Sequence, residues 1–189
     1  MTAAEVKFAT REAFLAAIQQ RQDLTGADAS GLDLSGARLT GARLTNANLH
    51  GVNLQKAVVA NNEMQGADLS AADLSDAFVA GINFAQANLS QAQLTGAKLI
   101  GINCEGADCA GSDWQNARLR AVNVTGANFE NAITTGARSA AVDWQKAKTP
   151  PAVLPTPTQM VPRWLSLVLL LGGVLLVWLW QRRQTRMEA

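Results

Sequence analysis

A five-residue phrase repeats without a break from about Gln22 to Ala147, and no other feature of the chain limits its fold so tightly. Clear copies read Ala67-Asp68-Leu69-Ser70-Ala71, Ala87-Asn88-Leu89-Ser90-Gln91 and Ala127-Asn128-Phe129-Glu130-Asn131. A mostly large apolar residue returns at every fifth position from Leu34 to Leu99. Ala or another apolar residue stands two places before it, and Gly is commonest two places after. Helices call for apolar residues at a spacing of about 3.6 and half-buried strands at two. The phrase is instead an alternation interrupted once per unit, a very short strand followed by a bend where Gly supplies backbone freedom. A chain that bends the same way in every unit coils up. Its coils satisfy their backbone groups by pairing with the coils above and below, ~4.8 Å away.

A longer period sets the number of units per coil. Ile82, Ile102, Val122 and Val142 replace Ala at the first apolar position and lie twenty residues apart, each followed by Asn or Asp. Ala27, Ala47, Ala67, Ala87, Ala107, Ala127 and Ala147 form a second column with that spacing. Four units therefore make one turn. Stacking four-sided coils aligns Asp28, Asn48, Asp68, Asn88, Asp108 and Asn128, and beside them Asp33, Asn53, Asp73, Gln93, Asp113 and Ile133. Like charges directly opposite one another in a sheet repel. An amide between carboxylates doubles their separation to roughly 10 Å, near a Debye length.

The A-(D/N)-L-x-x phrase resembles the pentapeptide-repeat family over about two thirds of the chain. The resemblance implies an all-β fold, a right-handed four-sided parallel β-helix with the central Leu or Phe and the preceding Ala facing inward. It implies little about activity, because one fold hosts many. Members similar to this chain include gyrase-binding mimics of DNA and secreted effectors.

The remaining segments divide the chain further. Residues 1–21 carry Thr10 ahead of Arg11-Glu12-Ala13-Phe14-Leu15-Ala16-Ala17-Ile18, which reads as an N-capped helix with Phe14, Leu15 and Ile18 as its apolar stripe. Solenoids need covered ends, and the small Ala29, where a central Leu is expected, leaves room for this helix as an N-terminal cap. No signal-peptide pattern precedes it. Residues 22–147 are the repeat. Within it Asn62 falls at an inward position, with Met64 as an adaptable filler, and Thr134 and Ser139 fall at central ones. These, with Trp144 as a roof on the last coil, read as packing compensation. Cys104 and Cys109 occupy central positions and read as core thiols suited to a reducing cytoplasm. Residues 148–162 are Pro-rich, a stiff extended linker holding the rod away from the C-terminal segment.

Residues 163–181 read as a transmembrane helix. Trp164 to Trp180 contains no charge and no polar side, and 17 residues at 1.5 Å rise span about 26 Å. Trp164, Trp178 and Trp180 stand at its ends as interfacial anchors, and Gly172-Gly173 permits close helix approach. The basic tail 182–189 satisfies the positive-inside rule on the cytoplasmic side, whereas the repeat lacks a leader to carry it outward. A tail-anchored arrangement with a cytoplasmic rod is the preferred topology.

The fourth side of the coil differs from the others. Its outward column reads Arg38, Val58, Phe78, Lys98, Arg118 and Arg138, with Ile100 and Arg120 alongside. Exposed apolar residues among arginines mark contact surfaces, so these eight are the candidate partner-binding residues. The net charge of +1 and the single His50 give no footing for catalysis, a metal, a cofactor, nucleic-acid binding or a small-molecule substrate. The expected role is a non-enzymatic, membrane-anchored scaffold that binds a partner protein through this side. The rivals are a subunit of a larger membrane complex, a DNA mimic acting on a topoisomerase, and a stripe resting on anionic lipid.

Overall fold

A computed structural model describes residues 6–158. They form a parallel β-solenoid of about six turns behind a single short helix. Helix α1 spans Arg11–Gln19. Six three-residue strands follow at twenty-residue intervals: β1 Arg38–Thr40, β2 Val58–Ala60, β3 Phe78–Ala80, β4 Lys98–Ile100, β5 Arg118–Arg120 and β6 Arg138–Ala140. A seventh, β7, is Thr156–Pro157. All seven pair in parallel in chain order. The register is the one expected from the sequence: Arg38 lies opposite Val58, Phe78 opposite Lys98, Arg118 opposite Arg138.

The other three sides of each turn pair through single residues. Asp28, Asn48, Asp68, Asn88, Asp108 and Asn128 bridge one to the next, as do Asp33, Asn53, Asp73, Gln93, Asp113 and Ile133. A third column runs Asp23, Arg43, Glu63, Asn83, Asn103, Asn123. Backbone bonds between turns close these ladders, for example Leu49 N–H to the Asp68 carbonyl at 2.7 Å and Asp68 N–H to the Ala47 carbonyl at 2.9 Å. The core is the inside of the coil, where the central apolar residues and the preceding Ala, Val and Ile residues are buried.

Both ends of the coil are covered. Thr10 caps α1 by accepting from the Ala13 N–H at 3.2 Å, and Phe14, Ala17 and Ile18 are buried while Leu15 is half-buried. Arg11 Nη1 donates to the Asp33 and Ser35 carbonyls at 3.2 and 2.9 Å, which ties the helix to the first coil. Phe8 meets Phe14 edge-on at 5.2 Å, and Lys7 bridges Asp28 below the first turn. At the other end Trp144 is buried and stands edge-on to Phe129 at 5.2 Å, as a roof should.

The Pro-rich stretch differs from the expected spacer over its described part, which lies on the stack. Thr149 bridges Asn128, Pro151 and Pro155 are buried, and the Thr156 and Thr158 N–H groups donate to the Ala137 and Ser139 carbonyls. The physical reason is that extended backbone at the edge of a sheet pairs when carbonyls are on offer. Pro, lacking an N–H, fits on an outermost strand and blocks the addition of another.

The predicted span at residues 163–181, with Trp164, Gly172, Gly173, Trp178 and Trp180, lies outside the described residues, as does the tail 182–189. Among the described residues no helix is long and apolar enough to cross a membrane.

Candidate functional site

Three of the four sides use their Asp and Asn side chains to build the turn. Each such carboxylate or amide oxygen accepts the backbone N–H two residues on: Asp28 from Ser30 at 3.0 Å, Asn48 from His50 at 3.1 Å, Asp68 from Ser70 at 2.9 Å, Asp113 from Gln115 at 2.8 Å. These Asx turns hold the corner in shape locally. The amides also link neighbouring turns. Asn88 Nδ2 donates to Asp68 Oδ1 at 3.1 Å, and Asn128 Nδ2 to Asp108 Oδ1 at 3.0 Å. At these two positions the Asn does more than dilute charge, since it donates to the carboxylate beneath it.

The carboxylates respond electrostatically. The Thr25 hydroxyl and N–H hold Asp23 below its ordinary value, and the Ser35 N–H does the same for Asp33. Burial alone would raise Asp73, but bonds from Ser75 and Gln55 outweigh it and leave its carboxyl lowered. All of the aspartates except Asp76 accept in such a turn, so these aspartates are occupied in shaping the backbone.

The fourth side has no such turn. Its residues lie in β1 to β6, where sheet bonds replace side-chain caps, and this is why Asp and Asn are missing at residues 38, 58, 78, 98, 118 and 138. The structure brings all eight candidate residues onto this one sheet. Arg38, Val58, Phe78, Lys98, Arg118 and Arg138 form one outward column. Ile100 and Arg120 lie in a second column two residues further along, with Thr40, Ala60, Ala80 and Ala140. Phe78 is 38% exposed and Ile100 is 40% exposed, while Val58 is half-buried. None of Arg38, Lys98, Arg118, Arg120 and Arg138 forms a salt bridge with a described residue. The small Ala60 and Ala80 flatten the surface beside Phe78; sequence reasoning missed them, although their spacing from the first column was available. A groove of about 520 Å³ between Ile18, Gln19, Arg21 and the Arg38–Gly41 edge bounds the face at its N-terminal end.

The irregular core positions are satisfied internally. Asn62 Oδ1 accepts the Ala42 N–H at 2.7 Å and its Nδ2 donates to the Leu39 carbonyl at 3.0 Å. The Thr134 hydroxyl donates to the Val153 carbonyl, and Ser139 Oγ accepts from Trp144 Nε1 at 3.4 Å. Trp114 Nε1 donates to Ser112 Oγ at 2.6 Å. Cys104 and Cys109 are buried free thiols. Burial pushes Cys104 up to about 12, and burial with the neighbouring Cys104 and Asp108 pushes Cys109 up as well.

Comparison with known proteins gives one family and several similar solved structures. The model of the family described as pentapeptide repeats matches eight copies at residues 23–58, 63–101 and 97–136. No curated protein matches significantly. Among solved structures, a pentapeptide repeat protein of the Arabidopsis thaliana thylakoid lumen is 34% identical at a TM-score of 0.49, covering 50% of this chain and 66% of its own. HetL, a pentapeptide repeat protein involved in heterocyst differentiation regulation in the cyanobacterium Nostoc, is 25% identical at a TM-score of 0.43, over 80% of this chain and 75% of its own. QnrB1, a plasmid-mediated fluoroquinolone resistance protein, is 13% identical at a TM-score of 0.38, over 61% of this chain and 73% of its own.

Proposed function

Since this chain belongs to the pentapeptide repeat family, we propose that it is a non-enzymatic, membrane-anchored scaffold whose strand face binds a partner protein. The observation that carries this reading is the composition of the face. Exposed Phe78 and Ile100 stand among five cations that form no ion pair with a described residue, on the one side of the rod not committed to Asx turns. Aromatic and Arg side chains on a flat, preformed surface are what partner-binding patches are made of. A stack of identical turns supplies an extended surface rather than a pocket.

The membrane part of the reading rests on the uncharged stretch Trp164–Trp180 and its terminal tryptophans. A tail-anchored arrangement leaves the rod in the cytoplasm and requires only the short tail 182–189 to cross, although the positive-inside rule by itself would hold that tail on the cytoplasmic side. The DNA-mimic alternative gains nothing from the acidic columns. An amide or other uncharged residue separates successive carboxylates at Asp28, Asp68 and Asp108 and at Asp33, Asp73 and Asp113, and each carboxylate is held in a turn.

The test is purification of the full chain in mild detergent with mass spectrometry of the proteins that accompany it. Phe78→Asp with Ile100→Asp is expected to release the partner and leave the melting temperature unchanged. Retention of every co-purifying protein by this variant overturns the assignment of the face. Extraction of the chain from membranes by alkaline carbonate overturns the anchor.

A further inference from the structure

The strand face is not uniform along the rod. After Arg38 and Thr40 its N-terminal half presents Val58, Ala60, Phe78 and Ala80, whereas its C-terminal half presents Lys98, Arg118, Arg120 and Arg138 with Ile100 and Ala140 beside them. Lys98, Arg118 and Arg138 are direct partners in adjacent strands, so three cations stand one above another at steps of ~4.8 Å. Arg120 stands beside Arg118 on the same strand. Adjacent like charges destabilise a sheet, and elsewhere this chain avoids them. In the Asp28 and Asp33 columns an amide or other uncharged residue separates each carboxylate from the next. On the basic strip no residue of the face intervenes, no acidic residue lies in either outward column, and no described carboxylate pairs with the four cations.

The strip also lies where the described chain ends. Strand β7 pairs with β6 on this same sheet, and the Thr158 N–H donates to the Ser139 carbonyl at 2.8 Å. Arg163 and Trp164 come within the next six residues. These six residues are the covalent tether between the described chain and the expected span.

We infer that the strip formed by Lys98, Arg118, Arg120 and Arg138 docks on the anionic phospholipid headgroups of the membrane that holds the anchor, leaving the exposed apolar residues Phe78 and Ile100 to the partner protein. The inference rests on the membrane-anchored reading above. A headgroup layer supplies many mobile anions, and these neutralise a row of closely spaced cations with no fixed stereochemistry required. Arg and Lys near an anionic surface are attracted to it, and the attraction is screened by salt.

The test uses the full chain reconstituted in nanodiscs. Cys104 and Cys109 are buried, so a thiol-reactive fluorophore reports on an introduced Ala140→Cys, which lies beside Arg120 and Arg138. Lipids carrying a nitroxide on the headgroup serve as quencher. Quenching is expected in discs containing phosphatidylglycerol. It is expected to fall at least severalfold in discs of neutral phosphatidylcholine, in 0.5 M salt, and in the variant R118E/R120E/R138E, whose tether is the same. Equal quenching in anionic and neutral discs, or quenching indifferent to salt, reduces the contact to tether length and overturns the inference. Self-quenching between labels in place of lipid quenching assigns the strip to a second copy of the chain and also overturns it. A chain retained in the discs with its label unquenched overturns the lipid contact alone. A chain that fails to enter discs overturns the anchor, and the inference falls with it.

Discussion

Every fifth residue from Arg21 to Ala141 has a positive φ, whether or not it is Gly. That left-handed corner costs a residue with a Cβ about 1–2 kcal/mol, and the chain accepts Asn, Asp, Gln, Lys, Arg or Ala there at twelve positions. Where the residue below is Asn or Asp, its side chain extends over the next corner up. A Cβ on Gly81 would meet Asn61 Oδ1 at 2.6 Å, and one on Gly96 would meet Asp76 Oδ1 at 2.5 Å, whereas nothing lies within 4 Å of one on Gly101. Gly101→Ala should therefore cost only the backbone term, about 1–2 kcal/mol, and Gly81→Ala more. Adding Asn61→Gly should recover the excess; urea titration of the three variants checks this. The Asx turns carry a pH consequence. Asp23, Asp28, Asp33 and Asp73 have folded values below the ordinary 3.8, so the folded chain binds fewer protons than the unfolded one. Their contribution is present above about pH 4 and is lost as the pH falls below 3.8 through the folded values. Melting temperature should drop over that acid range and stay level above it. Gly as the preferred corner residue was readable from the repeat. The side chain that lies over the Gly above was not, because it depends on how two corners face each other across a turn.

Helix α1 and the segment that carries β7 act as the two stoppers of the stack. Without α1 the first coil would expose its interior and the edge of its ladder to water, which invites pairing between rods. Deleting residues 1–20 should lower both the melting temperature and the solubility. Within the helix, Phe14→Ala should cost about 3–5 kcal/mol for a fully buried ring, and Thr10→Ala about 1 kcal/mol for the cap; differential scanning calorimetry ranks the two. The cap residue, the apolar stripe and the room left by Ala29 could be read in advance, because they are local or come from a gap in the repeat. The seventh strand could not. Prolines suggest a linker when only composition is considered, and the pairing of Thr156–Pro157 with β6 depends on carbonyls that become available only once six turns are stacked.

At the scale of the whole molecule the solenoid is one continuous apolar column wrapped by four rows of ladders. Opening should begin at the end turns and move inward, since each turn is held by its neighbours. Cys104 and Cys109 sit in the fifth of the six turns, near one end of the stack, with their thiols held protonated by burial. Ellman's reagent should therefore leave both unmodified in the native protein at pH 8 and modify both in denaturant. Prompt reaction of the native chain would mean that this turn opens readily.

The repeat by itself determined the coil, the number of sides and the vertical alignment of residues twenty apart, because a strict period leaves the backbone one regular way to close. It also marked the unusual side, through the absence of Asp and Asn there. Only the tertiary structure decided what that absence means. Three sides close by side-chain caps and the fourth by sheet pairing, so the outward columns of the fourth have no side chain held in an Asx turn. The sheet also places Lys98, Arg118 and Arg138 one above another, and an unrelieved row of like charges exists only once the strands are stacked.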